Sequence, residues 1–229
     1  NPKLCQMVFA NAHKNVAPSG YLKKAFESEG FTNVIYIPNS IEIEKYKFKE
    51  RIEFAPRLLW VRAFATIYNP EMAIKVLFEL QRKYPNATLT MVGPDKDGSL
   101  QTTKAFADYT NCKVNFTGQL AKEDWWKLAS EYDIFINTTH FDNTPISVME
   151  AMALGLPVVS TNVGGIPYLL TDKENALLVS DNDVSKMTDA ICSLLEDQQK
   201  ASDLTLNARH FIEQMDWNVV KEEWKRVLR

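Results

Sequence analysis

The chain has 229 residues, 26 basic and 29 acidic, and 45% of it is hydrophobic. That is enough apolar material for an ordinary core, and the near balance of charge, with no block of one sign, disfavours nucleic acid as a partner held by bulk electrostatics. Three scattered cysteines and three histidines disfavour a disulfide framework or a zinc site and fit reduced thiols in a cytoplasmic protein, and no apolar run approaches the ~18 residues of a membrane-spanning helix.

The start, NPKLCQMVFANAHK, lacks the apolar centre of a signal peptide, and the missing initiator Met fits a fragment or a processed chain. Residues 14–19, 20–29 and 34–37 read as strand, helix and strand. Pro38-Asn39-Ser40 and the charged run 42–51 read as a hinge. One βαβ unit cannot bury both faces of its sheet. Residues 1–40 are therefore expected to be the trailing end of another, mostly absent, N-terminal domain plus the hinge. Residues 41–229 are expected to form a domain of their own.

From there strand and helix alternate. Short apolar runs at 58–61, 88–92, 113–116, 134–137, 157–160 and 176–179 predict strands, and 70–83, 100–109, 122–131, 145–154 and 166–170 predict helices. Strict alternation predicts an α/β fold: a Rossmann-like parallel sheet with helices on both faces. Residues 184–229 read as helical without a strand, broken at Asp216-Trp217. Ligands of such sheets sit beyond the carboxyl ends of the strands. The loops after Val61, Val92, Phe116, Asn137 and Ser160 are therefore the places to look for chemistry.

The densest of these is Asp142 to Pro167, DNTPISVMEAMALGLPVVSTNVGGIP. Thr144 reads as a helix cap and Pro145 as the first helical residue, which leaves the N–H groups of Ile146 and Ser147 free to receive an anion. A plain capped helix is the alternative. Glu150 falls in the second turn beside the small residues Ala151, Ala153 and Gly155. Taken alone, Glu150 reads equally as a solvated side chain and Asp142 as a turn former. Gly164-Gly165 gives backbone access beside a second helix start. Arg62, just after a strand, can pair with phosphate or stand free in solvent. Gly93 lets its loop pass near a ligand, and Gln119-Leu120 offers backbone groups to a base edge, or is simply a turn.

These landmarks come in a recognisable order: APSGYL, IPNS, LLWVR, MVG, VNFTGQL, DIFINTT, DNTPISVMEAMALGLPVVS, NVGGIP, ALLV and a late DW. From about Val16 to the end, the chain resembles the C-terminal, donor-binding half of retaining GT-B glycosyltransferases of family 4. The resemblance implies a donor-binding domain at 41–229 and an N-terminal acceptor domain ahead of it. That domain's catalytic-type His is missing from these residues. The family's two acids, separated by seven residues, correspond to Asp142 and Glu150, with Asp where Glu is usual. The resemblance assigns donor-sugar contacts to Asp142 and Asn143 and ribose to Glu150. It assigns the diphosphate to Arg62 and to the amides of Thr144, Ile146 and Ser147, and nucleotide contacts to Gly93, Gln119 and Leu120.

The chain departs from the family pattern at several positions. Pro145 replaces a Gly and supplies no N–H. Tyr68 replaces the partner Lys of Arg62, and Lys96 is a candidate to compensate. Ser40 and Tyr168 replace a Gly and a Glu.

The resemblance implies transfer of a hexose from a UDP- or GDP-linked sugar to an acceptor glycan or lipid-linked glycan, with retention at the anomeric carbon. No cofactor, metal, nucleic acid or transmembrane segment is expected. Such a route needs developing phosphate charge held by fixed donors rather than a protein nucleophile. A nucleotide-sugar-binding module without transfer activity of its own is the alternative. A glycoside hydrolase using Asp142 and Glu150 would leave the phosphate features unexplained.

Overall fold

A computed structural model describes residues 2–229. The larger body is a six-stranded sheet of β3 (Arg57–Val61), β4 (Thr88–Val92), β5 (Val114–Gly118), β6 (Ile134–Asn137), β7 (Val158–Thr161) and β8 (Leu177–Val179), ordered β5-β4-β3-β6-β7-β8 with every pair parallel. Chain order reverses direction between β3 and β6. Loops leaving those two strands diverge and open a crevice at their carboxyl ends.

Alternation along the strands explains the two faces. Leu58 and Trp60 point into one apolar layer and Leu59 into the other. Ile134 and Ile136 likewise oppose Phe135. The first layer is closed by α3 (Pro70–Gln81), α4 (Ser99–Tyr109) and α7 (Val184–Glu196), the second by α5 (Lys122–Ala129), α6 (Ile146–Ala153) and α8 (Gln198–Glu213). With both faces covered, β3, β4, β6, β7 and β8 are largely buried, and only the edge strand β5 is partly exposed along its length.

The smaller unit is β1 (Asn15–Ala17), α2 (Gly20–Ser28) and β2 (Val34–Tyr36), a parallel pair with its crossover helix. It is preceded by α1 (Pro2–Asn11), to which the sequence reading assigned no element. Phe9 of α1 packs on Phe26 and Phe31, a contact between distant residues that a local pattern does not reveal. Residues 42–51, read as part of a hinge, lie along the larger body together with Ile41. Ile41 N donates to Met215 O, Ile43 N donates to Asp216, and the buried Arg51 guanidinium donates to the carbonyls of Ala129, Tyr132 and Gly155.

Three helices, α7, α8 and α9 (Trp217–Val227), make up the C-terminal part. The expected break at Asp216 is present, and Asp216 caps α9 by accepting from Asn218 N at 2.7 Å. Residues 166–170, expected as a helix, form only a three-residue 3-10 turn, Ile166–Tyr168. Among the described residues no helix is long and apolar enough to cross a membrane.

Candidate functional site

Helix α6 enters the crevice one residue later than expected. The Pro145 carbonyl accepts from Val148 N and Met149 N at 3.2 and 3.3 Å, so Pro145 is the cap residue and Ile146 opens the helix. Thr144 therefore does not cap it. Its hydroxyl instead donates to the carbonyl of Pro18, 3.4 Å away, because the loop before α6 packs on the smaller unit. Asn143 is drawn the same way, its Oδ1 accepting from the Ser19 hydroxyl. Without a side-chain cap, the N–H groups of Ile146 and Ser147 have no partner among the described residues. The Ser147 hydroxyl is also buried and unpaired. Buried donors are normally satisfied, so the unpaired Ser147 hydroxyl beside two free helix-start amides makes this the candidate place for an anion.

The Gly-Gly pair serves that loop rather than a second anion seat. A side chain at Gly165 would lie 1.9 Å from the carbonyl oxygen of Asn143, and Gly165 N donates to the Asp142 carbonyl at 2.7 Å. The three-residue turn that follows is too short to carry a useful dipole. Gly93 has a similar role. Its added Cβ would fall 1.8 Å from the Arg62 carbonyl oxygen, so it lets the loops after β3 and β4 touch.

Across the crevice from α6 stands Arg62. Its guanidinium pairs with the Asp142 carboxylate and lies over the Tyr68 ring, 4.3 Å from the centroid, and its Nε is buried without a partner. Burial pushes the Asp142 carboxyl above its usual pKa, against the pull of Arg62 and of the Asn143 N–H. Glu150 is buried at 3% exposure and accepts from the Tyr46 hydroxyl at 2.9 Å, with Lys122 Nζ at 3.4 Å. Burial raises its pKa too, opposed by Tyr46 and Lys122.

A cavity of about 230 Å³ lies between these groups. Arg62, Gly93, Gln119, Leu120, Ser147 and Glu150 line it, together with Lys122 and Trp125. Six of the residues expected from sequence thus converge on one space. Asp142 reaches it through Arg62. Ile146 lines an adjoining hollow of about 520 Å³ with Tyr46, Lys122, Trp126 and Trp217. Asn143 and Thr144 face the smaller unit. Lys96 is exposed and lines neither space. The sequence reading missed Lys122 and Tyr46. Lys122 follows Gln119-Leu120 at the end of the loop after β5, a position that could have flagged it. Tyr46 sits within a charged run and gives no pattern.

A cation, free helix-start amides, an unpaired hydroxyl and a buried carboxylate around one cavity can hold a molecule carrying both phosphate and vicinal hydroxyls. The profile of glycosyl transferases group 1 matches residues 42–211. The chain belongs to that family. Within the group 1 glycosyl transferases, it is 25% identical to a glycogen synthase of Mycobacterium tuberculosis over 83% of this chain and 47% of that protein. It is 25% identical to an uncharacterized glycosyltransferase of Methanocaldococcus jannaschii over 97% and 59% respectively.

Among solved structures it resembles Anabaena HepE, crystallised with UDP and glucose, with TM-score 0.86 and 20% identity over 95% of this chain and 63% of that one. A sucrose-phosphate synthase of Thermosynechococcus elongatus gives TM-score 0.87 and 20% identity over 99% and 60%. The fold is thus one half of the GT-B architecture of these glycosyltransferases. The chain spans about half the length of the curated relatives it matches. Among the described residues no cluster of three or more His, Cys, Asp or Glu side chains could hold a metal ion.

Proposed function

We propose that this chain is the donor-binding half of a retaining glycosyltransferase that moves a hexose from a nucleotide diphosphate sugar to an acceptor glycan or lipid-linked glycan. The observation that carries the reading is the convergence of Arg62, Ser147 and Glu150 on one cavity beside the unpartnered amides of Ile146 and Ser147. In this reading the diphosphate lies against those amides and Arg62. The pentose hydroxyls meet Glu150, and the base lies by Gln119 and Leu120. Asp142 faces the sugar, while Asn143, which the resemblance also assigns to the sugar, is turned to Ser19 of the smaller unit. The anomeric C–O bond breaks, the acceptor hydroxyl bonds to that carbon on the same face, and its proton passes to the departing diphosphate oxygen. The protein's share is to hold the growing charge with donors fixed beforehand. Hexose, retention and the face of attack come from the family resemblance. The UDP complex of the HepE neighbour favours UDP as the first nucleotide to try.

Residues 1–40 are, in this proposal, the end of the acceptor domain, and 41–229 the donor domain. The isolated chain is then a binding module, because the acceptor side of the cleft belongs to the other domain. A thermal-shift screen across UDP-, GDP- and ADP-sugars tests the donor reading. One nucleotide series should raise the melting temperature, and Arg62→Ala and Glu150→Ala should each abolish the rise. No response to any series refutes the reading. Transfer assays on this chain and on the longer parent test the division of labour, and full activity from this chain alone would disprove it.

A further inference from the structure

Three side chains reach the Glu150 carboxylate, Tyr46, Lys122 and Trp126, and the first two fall on the same oxygen. The Tyr46 hydroxyl donates to Oε1 at 2.9 Å, and Lys122 Nζ lies 3.4 Å from that atom. The buried Trp126 Nε1 approaches the carboxylate without completing a hydrogen bond, and Oε2 accepts none among the described residues. The two partners differ in stiffness. The Lys122 side chain is 64% exposed and free to move. Tyr46 is buried, with its ring packed on Trp126 at 4.4 Å between centroids. Its backbone is tied down as well, because Arg209 donates to the Tyr46 carbonyl at 3.3 Å.

We propose that Tyr46 is the positioning residue for Glu150, fixing Oε1 so that Oε2 is presented to the vicinal hydroxyls of a nucleotide's pentose. The inference rests on the proposed reading in which Glu150 meets the pentose. It adds a residue from the segment joining the two units, so that the nucleotide contact and that segment share one hydrogen bond. A buried phenol needs a partner, and a bond to a charged acceptor is stronger than one between neutral groups. Burial, and then the Glu150 charge, hold the Tyr46 hydroxyl well above the usual tyrosine range, so it stays a donor. The groups facing Glu150 are Tyr46 from the joining segment, Lys122 and Trp126 from α5 and, across the cavity, Arg62. Glu42 and Glu123 line the adjoining hollow with Tyr46, and their charges also act on its hydroxyl.

The test compares Tyr46→Phe, which keeps the ring and removes the hydroxyl, with the unaltered chain. The probes are whichever of UDP, GDP or ADP binds most tightly and the 2′,3′-dideoxy form of the same nucleotide. Calorimetry should show roughly tenfold weaker binding of the ribonucleotide and little change for the dideoxy form, as expected for one lost bond to a charged group. The carboxyl carbon signal of Glu150, followed by NMR against pH, should titrate at a higher midpoint in Tyr46→Phe, because a donor to the charged form is gone.

Equal losses for both nucleotides, or an unmoved midpoint, overturn the inference. Should Tyr46→Phe fail to fold, 3-fluorotyrosine incorporation serves instead. A more acidic phenol donates more strongly, so the midpoint should fall, and an unmoved midpoint again overturns the inference. Glu150→Gln separates the two levels. If it leaves nucleotide affinity intact, the pentose reading fails. If it weakens binding while Tyr46→Phe does not, only the role of Tyr46 fails.

Discussion

Arg62 and Asp142 are paired across the point where strand order reverses, one in the loop after β3 and the other in the loop after β6. The pair joins the residue proposed to hold phosphate to the residue proposed to face the sugar. In the proposed reading, the Asp142 carboxylate occupies the side of Arg62 to which the diphosphate is assigned. On that reading a diphosphate would compete with an internal anion, and a displaced Asp142 would become available to sugar hydroxyls.

Asp142→Asn should consequently act with opposite signs on two measurements. The amide competes more weakly for Arg62, so calorimetry should show a nucleoside diphosphate binding roughly fivefold more tightly. Transfer by the longer parent should fall, because the sugar loses its carboxylate. The unliganded variant should also be less stable, by about 1–3 kcal/mol in urea unfolding, because Arg62 is left mostly buried with its Nε already unpaired. Weaker binding of the diphosphate would show that the pair does not compete with ligand.

Glu150 gives a prediction about pH. Its folded pKa is raised, chiefly by burial, so the folded chain holds this proton more tightly than the unfolded chain does. Its contribution to stability is greatest below the unfolded pKa, about 4.3, and is lost as pH rises through the folded value. Glu150→Gln removes the cost of burying the charge. It should raise unliganded stability at pH 7 by roughly 1 kcal/mol, and the difference should vanish below about pH 4. Chemical unfolding at both pH values checks this. Nucleotide affinity should fall in the same variant. A variant less stable at pH 7 would mean that Tyr46 and Lys122 more than offset the burial.

Much of this was legible in the sequence, for reasons specific to each element. β3, β4, β6 and β7 are buried on both faces and so appear as unbroken apolar runs. Arg62 and Ser147 follow from their places at a strand end and a helix start, which topology turns into a common crevice, whereas Glu150, inside α6, is picked out by the family resemblance. Other features depend on contacts distant in sequence. Thr144 failed as a cap because Pro18, 126 residues away in sequence, takes its hydroxyl. Tyr46 meets Glu150 across 104 residues. Helix α1 is held by aromatic rings from α2 and the turn after it. Neither periodicity nor spacing encodes such pairs.

Gly93→Ala tests how closely the crevice wall is built. The new methyl would sit 1.8 Å from the Arg62 carbonyl oxygen, and that contact is backbone, so no rotamer relieves it. The loops after β3 and β4 must separate, which should cost about 1–3 kcal/mol in urea unfolding. Arg62 moves with its loop, so diphosphate affinity should drop as well. Unchanged stability would mean that the two loops part easily.

Tyr68 offers the last test, because it stands where the resembling family carries a lysine. Its ring supports the Arg62 guanidinium from one face at 4.3 Å, while Asp142 holds the other end. Beside Arg62 the site thus has an aromatic support in place of a second cation, a contact worth about 0.5–2 kcal/mol. Tyr68→Leu should loosen Arg62 and weaken diphosphate binding a few-fold, with little change in affinity for the free nucleoside. Tyr68→Lys should do the reverse to the ligand and harm the unliganded fold. Two cations at one partly buried place repel each other, and a diphosphate neutralises both. Its stabilisation by diphosphate, read as the rise in melting temperature, should therefore exceed that of the unaltered chain and shrink as salt is added. If Tyr68→Lys binds diphosphate no better than Tyr68→Leu, the charge at this position does not reach the phosphates, and Tyr68 supports Arg62 by packing alone.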